Sequence, residues 1–273
     1  MIRYPGGKHK LAKTICAKLT EVLGSETLPY REPFFGGGAV GTTFLKANPQ
    51  IKEVWVNDRD CALAALWLSV MNHPEPLKAK VREFTPSIAH FYEFKDELLR
   101  RPLVSDKDEE QLVGYGFKKL AVHQMSYSGL GVKSGGPIGG KTQESKYKVD
   151  CRWVPDYICK KIDALNALFA AREVAVSPMD FMALIEAPGC CLLYLDPPYY
   201  IKGNELYQYS FTVDDHKRLA EALKTTNHRW VLSYDDCPQV QELYSWAHCE
   251  PIGVNYTIRT ARRKGELLIT AKA

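Results

Sequence analysis

Apolar positions Leu11, Ile15, Leu19 and Val22 recur near helical spacing with lysines on the other face, which predicts a first helix starting near Lys8. The pattern then alternates. Glu32-Pro33-Phe34 reads as a strand end, a glycine cluster follows, Val40 to Leu45 read as a short helix, and Glu53-Val54-Trp55-Val56 as a strand, together a β-loop-α-β unit. From about residue 75 to 155 the pattern changes to charged helical stretches, followed by a loop rich in glycine, serine and lysine between Tyr127 and Lys148. Strands then resume at Glu173 to Val176, Cys190 to Leu195 and Arg229 to Tyr234, each followed by a helix. The last two runs, about 249 to 258 and 266 to 272, predict a terminal hairpin. The reading is an α/β domain formed by residues 1–75 and 155–273, with residues 76–154 inserted into it.

Composition narrows the class. The 273 residues, 45% of them hydrophobic, suffice for a sizeable core. A net charge of +4 is too small to point to a nucleic-acid partner by itself, so the distribution of charge has to decide. None of the eight cysteines falls in the closely spaced pairs of a zinc site, and Cys190-Cys191 sits in an apolar run, so the expectation is a reduced, cytoplasmic chain without metal. Pro5-Gly6-Gly7 interrupts the start where a secretory signal needs a continuous apolar stretch, and no apolar run approaches the roughly 20 residues of a membrane span.

Two segments carry candidate chemistry. In Arg31-Glu-Pro-Phe-Phe-Gly-Gly-Gly-Ala-Val-Gly, Gly36 and Gly38 lie between a strand and a helix, where the chain must turn tightly and let a ligand approach its backbone. Asp58 ends the next strand at about the 20-residue interval expected of an acid that binds ribose hydroxyls, so the two together describe a pocket for an adenosine-containing cofactor. A nicotinamide dehydrogenase competes for this pattern, and the Phe34-Phe35 pair crowding the turn argues against it.

The apolar strand Cys191 to Leu195 runs abruptly into Asp196-Pro197-Pro198-Tyr199. The prolines restrict φ and remove two N–H groups, and in an open α/β sheet such a strand end is where ligands bind. A planar exocyclic amine such as adenine's is a poor nucleophile because its lone pair is delocalised into the ring. Asp196 and the carbonyl of Pro197 can each accept one N–H, drawing the nitrogen toward tetrahedral geometry and aiming its lone pair at an electrophilic methyl group. Tyr199 offers a face on which an extruded base stacks. The competing reading is a rigid turn that closes a core strand.

Tyr4-Pro-Gly-Gly7-Lys8, Pro33-Phe34-Phe35-Gly36-Gly37-Gly38, Asn57-Asp58 and Asp196-Pro197-Pro198-Tyr199, in that order, resemble the Dam-type DNA N6-adenine methyltransferases, the D12 class or α group. The resemblance spans nearly the whole chain. It implies a Rossmann-like S-adenosylmethionine-dependent methyltransferase sheet with a terminal antiparallel hairpin, and an inserted, mainly helical target-recognition domain over residues 76–154. It further implies that S-adenosyl-L-methionine methylates N6 of an adenine flipped out of double-stranded DNA. On that pattern Tyr4, Gly7 and Lys8 contact the methionine end of the cofactor, Phe34, Gly36 and Gly38 wrap it, and Asp58 holds the ribose. Asp180 and Phe181, in Ser177-Pro-Met-Asp180-Phe181, resemble the step that contacts the cofactor's adenine, although Asp180 reads equally as a helix cap. Asp196, Pro197, Pro198 and Tyr199 form the catalytic tetrapeptide, with Asp196 also touching the cofactor.

His123-Gln-Met-Ser-Tyr127-Ser128-Gly129 resembles the start of the family's recognition region. Lys118, Lys119, Lys133, Lys141, Lys146, Lys148, Arg152, Lys160 and Lys161 concentrate positive charge there, so Tyr127, Ser128, Lys133, Lys141 and Lys146 are the expected DNA contacts, against the plainer reading of a solvated loop. Arg259, Arg262, Arg263 and Lys264 form a second basic cluster in the hairpin turn. The stretch Lys202 to Phe211 reads as a lid, with Tyr207 and Phe211 able to cover an extruded base, and Tyr234 as a pocket wall or a core residue. The same tetrapeptide also suits cytosine N4, adenine in RNA or a protein glutamine. A catalytically silent DNA-binding protein of the same fold is the alternative from another class. The resemblance allows a bacterial or phage origin and a cognate restriction endonuclease acting separately.

Overall fold

The structure, a computed structural model, describes residues 6–100, 107–201, 209–252 and 265–272. In chain order its elements are α1 (Ala12–Leu23), β1 (Tyr30–Glu32), α2 (Ala39–Ala47), β2 (Glu53–Asn57), α3 (Cys61–Asn72), α4 (Pro74–Glu83), α5 (Ile88–Arg100), α6 (Glu109–Met125), α7 (Pro155–Ala170), β3 (Glu173–Ser177), α8 (Met182–Glu186), β4 (Leu192–Leu195), α9 (Val213–Thr225), β5 (Arg229–Asp235), α10 (Pro238–Leu243), β6 (His248–Ile252) and β7 (Glu266–Thr270). The fold is mixed α/β, as the alternating pattern predicts, and Rossmann-like, as the resemblance implies. Tyr4, Lys202, Tyr207, Arg259, Arg262, Arg263 and Lys264 lie outside the described residues. The described residues divide into two compact units: 8–57, 179–201, 209–252 and 265–272 form one, and 6–7, 58–100 and 107–178 the other.

In the first unit six strands lie in the order β2-β1-β4-β5-β7-β6, with β2, β1, β4 and β5 parallel and β7 antiparallel to both β5 and β6. Every residue of β4 is buried, the pattern of a parallel strand covered on both faces, which is why its sequence reads as an unbroken apolar run. Leu193, Leu195, Leu219, Trp230, Leu232 and Ile269 belong to the core on one side. The final two strands confirm the hairpin, with Leu268 opposite Ser233 on one neighbour and Glu250 on the other. The chain leaves β1 toward β2 on one side and leaves β4 toward β5 on the other. The carboxyl ends of β1 and β4 therefore flank a topological switch point, the position at which open α/β sheets bind ligands.

The other unit is built on helices. Asp60 caps α3, its carboxylate accepting the N–H groups of Ala62 and Leu63 at 3.0 and 3.2 Å. Gly116 of α6 meets the backbone of α3: a Cβ there would lie 2.7 Å from the Cα of Leu66, so only glycine permits this approach. Phe84 stacks on Phe94 and meets Phe117 and Trp153 edge-on, linking α5, α6 and the segment before α7. Between α6 and α7 the glycine-rich loop is held by its own hydrogen bonds. Ile138 N–H donates to Met125 O at 2.8 Å, Gly131 N–H to the Ser126 hydroxyl at 3.0 Å, and the Gln143 amide to Ile138 O at 2.7 Å. No described helix is long and apolar enough to cross a membrane.

Candidate active site

β1 ends at Glu32, and the chain turns through Pro33 to Gly38 into α2. Gly36 (φ 49°) and Gly38 (φ 67°) both sit in the left-handed region that strains any L side chain, so the two glycines predicted to make the turn do make it. Gly38 N–H closes the turn on Phe35 O at 2.7 Å, and Phe35 N–H reaches Asn57 O at the end of β2 at 2.8 Å. The buried Asn57 amide joins this loop to the segment before α8. It donates to Pro33 O at 3.0 Å and Met179 O at 3.1 Å, and it accepts Met179 N–H at 2.8 Å. Asp58, next in the chain, accepts Asp60 N–H at 3.0 Å, a local turn leading into the cap of α3.

Beneath the turn lies Glu32, which sequence reasoning passes over. Its carboxyl is buried, accepts the Tyr30 hydroxyl at 2.7 Å, and is also bonded by the backbone N–H of Gly41. Burial pushes this carboxyl well above the usual carboxylate range, against the pull of the Tyr30 bond. A Cβ on Gly41 would stand 2.2 Å from Glu32 Oε2 and 2.8 Å from the Phe35 ring. Gly41→Ala is therefore expected to cost about 2 kcal/mol through overpacking, read as a melting temperature lower by roughly 4–8 °C. A melting temperature equal to wild type would show that Glu32 moves aside freely.

On the α8 side, Phe34 packs against Phe181 and Phe211, each with ring centroids 5.5 Å away, and Phe181 is itself buried. Asp180 sits as the helix-cap reading expects, its Oδ1 accepting Met182 N–H at 3.1 Å at the start of α8, and it also meets the Arg218 guanidinium at 3.3 Å. Tyr234 is a fully buried core residue whose hydroxyl bonds His216.

The tetrapeptide follows β4 directly. Asp196 pairs with the Lys8 ammonium and accepts the Ser233 hydroxyl at 3.1 Å from the neighbouring β5, while its side chain keeps 17% exposure, enough for a ligand to reach it. Burial raises the Asp196 carboxyl above its ordinary value, against the opposing pull of Lys8 and Ser233. Pro197 is buried and Pro198 half-buried. Tyr199 is fixed through its hydroxyl, which accepts from Lys8 Nζ at 2.9 Å and donates to Glu266 Oε2 at 2.7 Å. Burial, then the Asp196 and Glu266 charges, raise the Tyr199 phenol, so it remains a neutral donor. Asp235 holds the exit of the tetrapeptide by accepting the N–H groups of Tyr200 and Ile201 at 3.0 and 3.2 Å.

The fold thus brings Lys8 together with Asp196 and Tyr199, and Phe34 together with Phe181. Gly7 is exposed and precedes Lys8 in the chain. Ser233, Asp235 and Glu266 are additional members that sequence reasoning misses. Their signal was position, since Asp235 ends β5 and Glu266 opens β7 opposite it, at the same edge of the sheet as the tetrapeptide.

In the helical unit, Tyr127 and Tyr147 are exposed, as are Ser128, Lys133, Lys141 and Lys146. Ser128 adopts φ 56° in the loop. Lys141 lies 5.9 Å from the Tyr92 ring and Lys146 the same distance from Tyr147. Two lysines of the predicted basic face are otherwise engaged: Lys119 is buried against Asp60, and Lys118 pairs with Glu97. His123 is buried, with Nδ1 3.0 Å from Gly129 O and its ring against Gly131. Among the described residues no group of three or more His, Cys, Asp or Glu side chains is placed to hold a metal ion.

No curated relative matches the sequence. The family model for D12 class N6 adenine-specific DNA methyltransferases matches residues 4–258, almost the whole chain. The match takes in both the glycine turn after β1 and the Asp-Pro-Pro-Tyr tetrapeptide after β4, and the chain belongs to the D12 class of N6 adenine-specific DNA methyltransferases.

Proposed function

We propose that this adenine methyltransferase draws its methyl group from S-adenosyl-L-methionine and acts on an adenine extruded from duplex DNA. The observation that carries the reading is the convergence of the glycine turn after β1 and Asp196 after β4 at the switch point of one sheet. The residues fit such a donor. Gly36 and Gly38 open their backbone by positive φ, Phe34 offers apolar surface beside them, and Asp58 follows Asn57 with a carboxylate for ribose hydroxyls. When bound, the donor supplies an electrophilic methyl on a sulfonium sulfur.

The chain's own residues do the rest. Asp196 and the Pro197 carbonyl accept the two amine N–H bonds and localise the lone pair, and Lys8 and Ser233 hold Asp196 in place. Tyr199, anchored by its hydroxyl, gives the extruded base a fixed face, with stacking of about 1–3 kcal/mol set against an unstacking cost of a few kcal/mol. Residues 76–154 serve as the target-recognition region, in which Tyr127, Ser128, Lys133, Lys141 and Lys146 face solvent and meet the phosphate backbone.

Calorimetric titration with S-adenosylmethionine is expected to give one site per chain, with Asp58→Ala weakening binding roughly tenfold or more. In parallel, 2-aminopurine at the target adenine should brighten when the protein binds. Wild-type donor affinity in Asp58→Ala would remove that residue from the pocket, and an unchanged 2-aminopurine signal would contradict extrusion.

A further inference from the structure

Three ionisable side chains and one phenol meet at the tetrapeptide. The Lys8 ammonium pairs with Asp196, stands 3.2 Å from Glu266 Oε1 and donates to the Tyr199 hydroxyl, which in turn donates to Glu266 Oε2. All three charged side chains are largely withdrawn from solvent, at 4% exposure for Lys8, 17% for Asp196 and 12% for Glu266. One cation between two carboxylates leaves a net charge of −1, a cluster with room for one proton. Glu266 Oε1 is buried and faces the Lys8 ammonium at 3.2 Å with no other polar partner among the described residues, so it is the oxygen to which Lys8 can hand that proton. Burial is the largest cause raising the Glu266 carboxyl, with the Asp196 charge adding to it.

Methylation of an amine releases one proton. The nitrogen lone pair forms the new N–C bond, the C–S bond breaks with its electron pair passing to sulfur, and the cationic nitrogen sheds one N–H proton to become neutral again. We propose that Glu266 is the resting place of that proton, reached from the amine through Asp196 and Lys8. Asp196 takes the proton from nitrogen. Lys8 passes one of its own protons to Glu266 Oε1 and takes the one held by Asp196, so that Asp196 is again a carboxylate, Lys8 again an ammonium, and Glu266 a neutral acid that later releases its proton to water. Tyr199 keeps donating to Oε2 throughout, which leaves Oε1 as the accepting atom. Glu266 acts through Lys8 and Asp196 rather than on the base, so it is a positioning residue. This inference rests on the methyl-transfer reading above.

The test is single-turnover transfer to duplex DNA as a function of pH for the wild type, Glu266→Gln and Glu266→Asp, with donor and DNA affinities measured alongside. Glu266→Gln retains a carbonyl oxygen for the Tyr199 hydroxyl but cannot accept the proton. It is expected to be slower by roughly 10- to 100-fold at neutral pH with unchanged affinities. The acidic limb of its profile should move to lower pH, because Asp196 then faces Lys8 without a second negative charge. Glu266→Asp, which withdraws the charge from Lys8 by one methylene, should be intermediate in rate. Wild-type rates and an unmoved acidic limb in both variants would overturn the proposal. A wild type that transfers nothing to adenine would instead overturn the reading on which it rests.

Discussion

Asp196→Ala is expected to lower the rate of methyl transfer by on the order of a thousandfold while DNA binding persists. The size follows from what the side chain alone supplies. It accepts one amine N–H where the lone pair must be freed, and no other described carboxylate occupies the first position after β4. The fold should survive, because Lys8 keeps Glu266 as a counter-charge at 3.2 Å and the Tyr199 hydroxyl keeps both of its partners. Phosphate contacts do not involve this residue, so affinity for duplex DNA and its salt dependence should match wild type. Turnover close to wild type would remove Asp196 from the chemistry, and loss of folding would show that its pairing with Lys8 is chiefly structural.

The largest stability effect is expected at Asp60. Its carboxylate caps α3 and pairs with Lys119, and both side chains are almost wholly buried, at 7% and 3% exposure. Burial alone would raise the Asp60 carboxyl, but Lys119, the N–H of Leu63 and the neighbouring His123 outweigh it and hold the group below its usual value of 3.8. Asp60→Asn leaves the Lys119 ammonium buried without its counter-charge, a loss of about 3–5 kcal/mol and a melting temperature lower by roughly 10 °C. Adding Lys119→Met should restore much of the loss, because an apolar side chain tolerates the site that a lone cation does not. The sign with pH is fixed by the depressed titration. In the folded wild type this carboxylate is stabilising above the unfolded value, and that contribution disappears as the pH falls through the folded one, so the wild type should lose the advantage over Asp60→Asn in acid. A variant as stable as wild type at neutral pH would show that Lys119 finds water.

The residues that were legible in the sequence share a physical reason. The β1-turn-α2-β2 unit and the β4-tetrapeptide junction announce themselves because an apolar run ends abruptly in glycine or proline, and backbone constraint is a local property. What stayed hidden depends on long-range pairing. Lys119 reads as part of a solvated basic stretch, but α6 is buried on most of its surface, and Lys119 lies on a side facing Asp60, 59 positions earlier. Glu266 looks like a polar start to an apolar strand until the antiparallel register sets it opposite Asp235, beside the tetrapeptide's exit. Glu32 is harder to see for a related reason, since its partners Tyr30 and Gly41 are near in sequence but the parallel register also sets it opposite Val56 of β2.

The most direct test of the whole account is transfer of labelled methyl from S-adenosylmethionine to unmethylated duplex DNA, followed by nucleoside analysis and sequencing of the modified sites. The account predicts label in N6-methyladenine at one short word for the wild type and almost none for Asp196→Ala. Label at cytosine N4, or label on RNA or protein with DNA left unmodified, would contradict it.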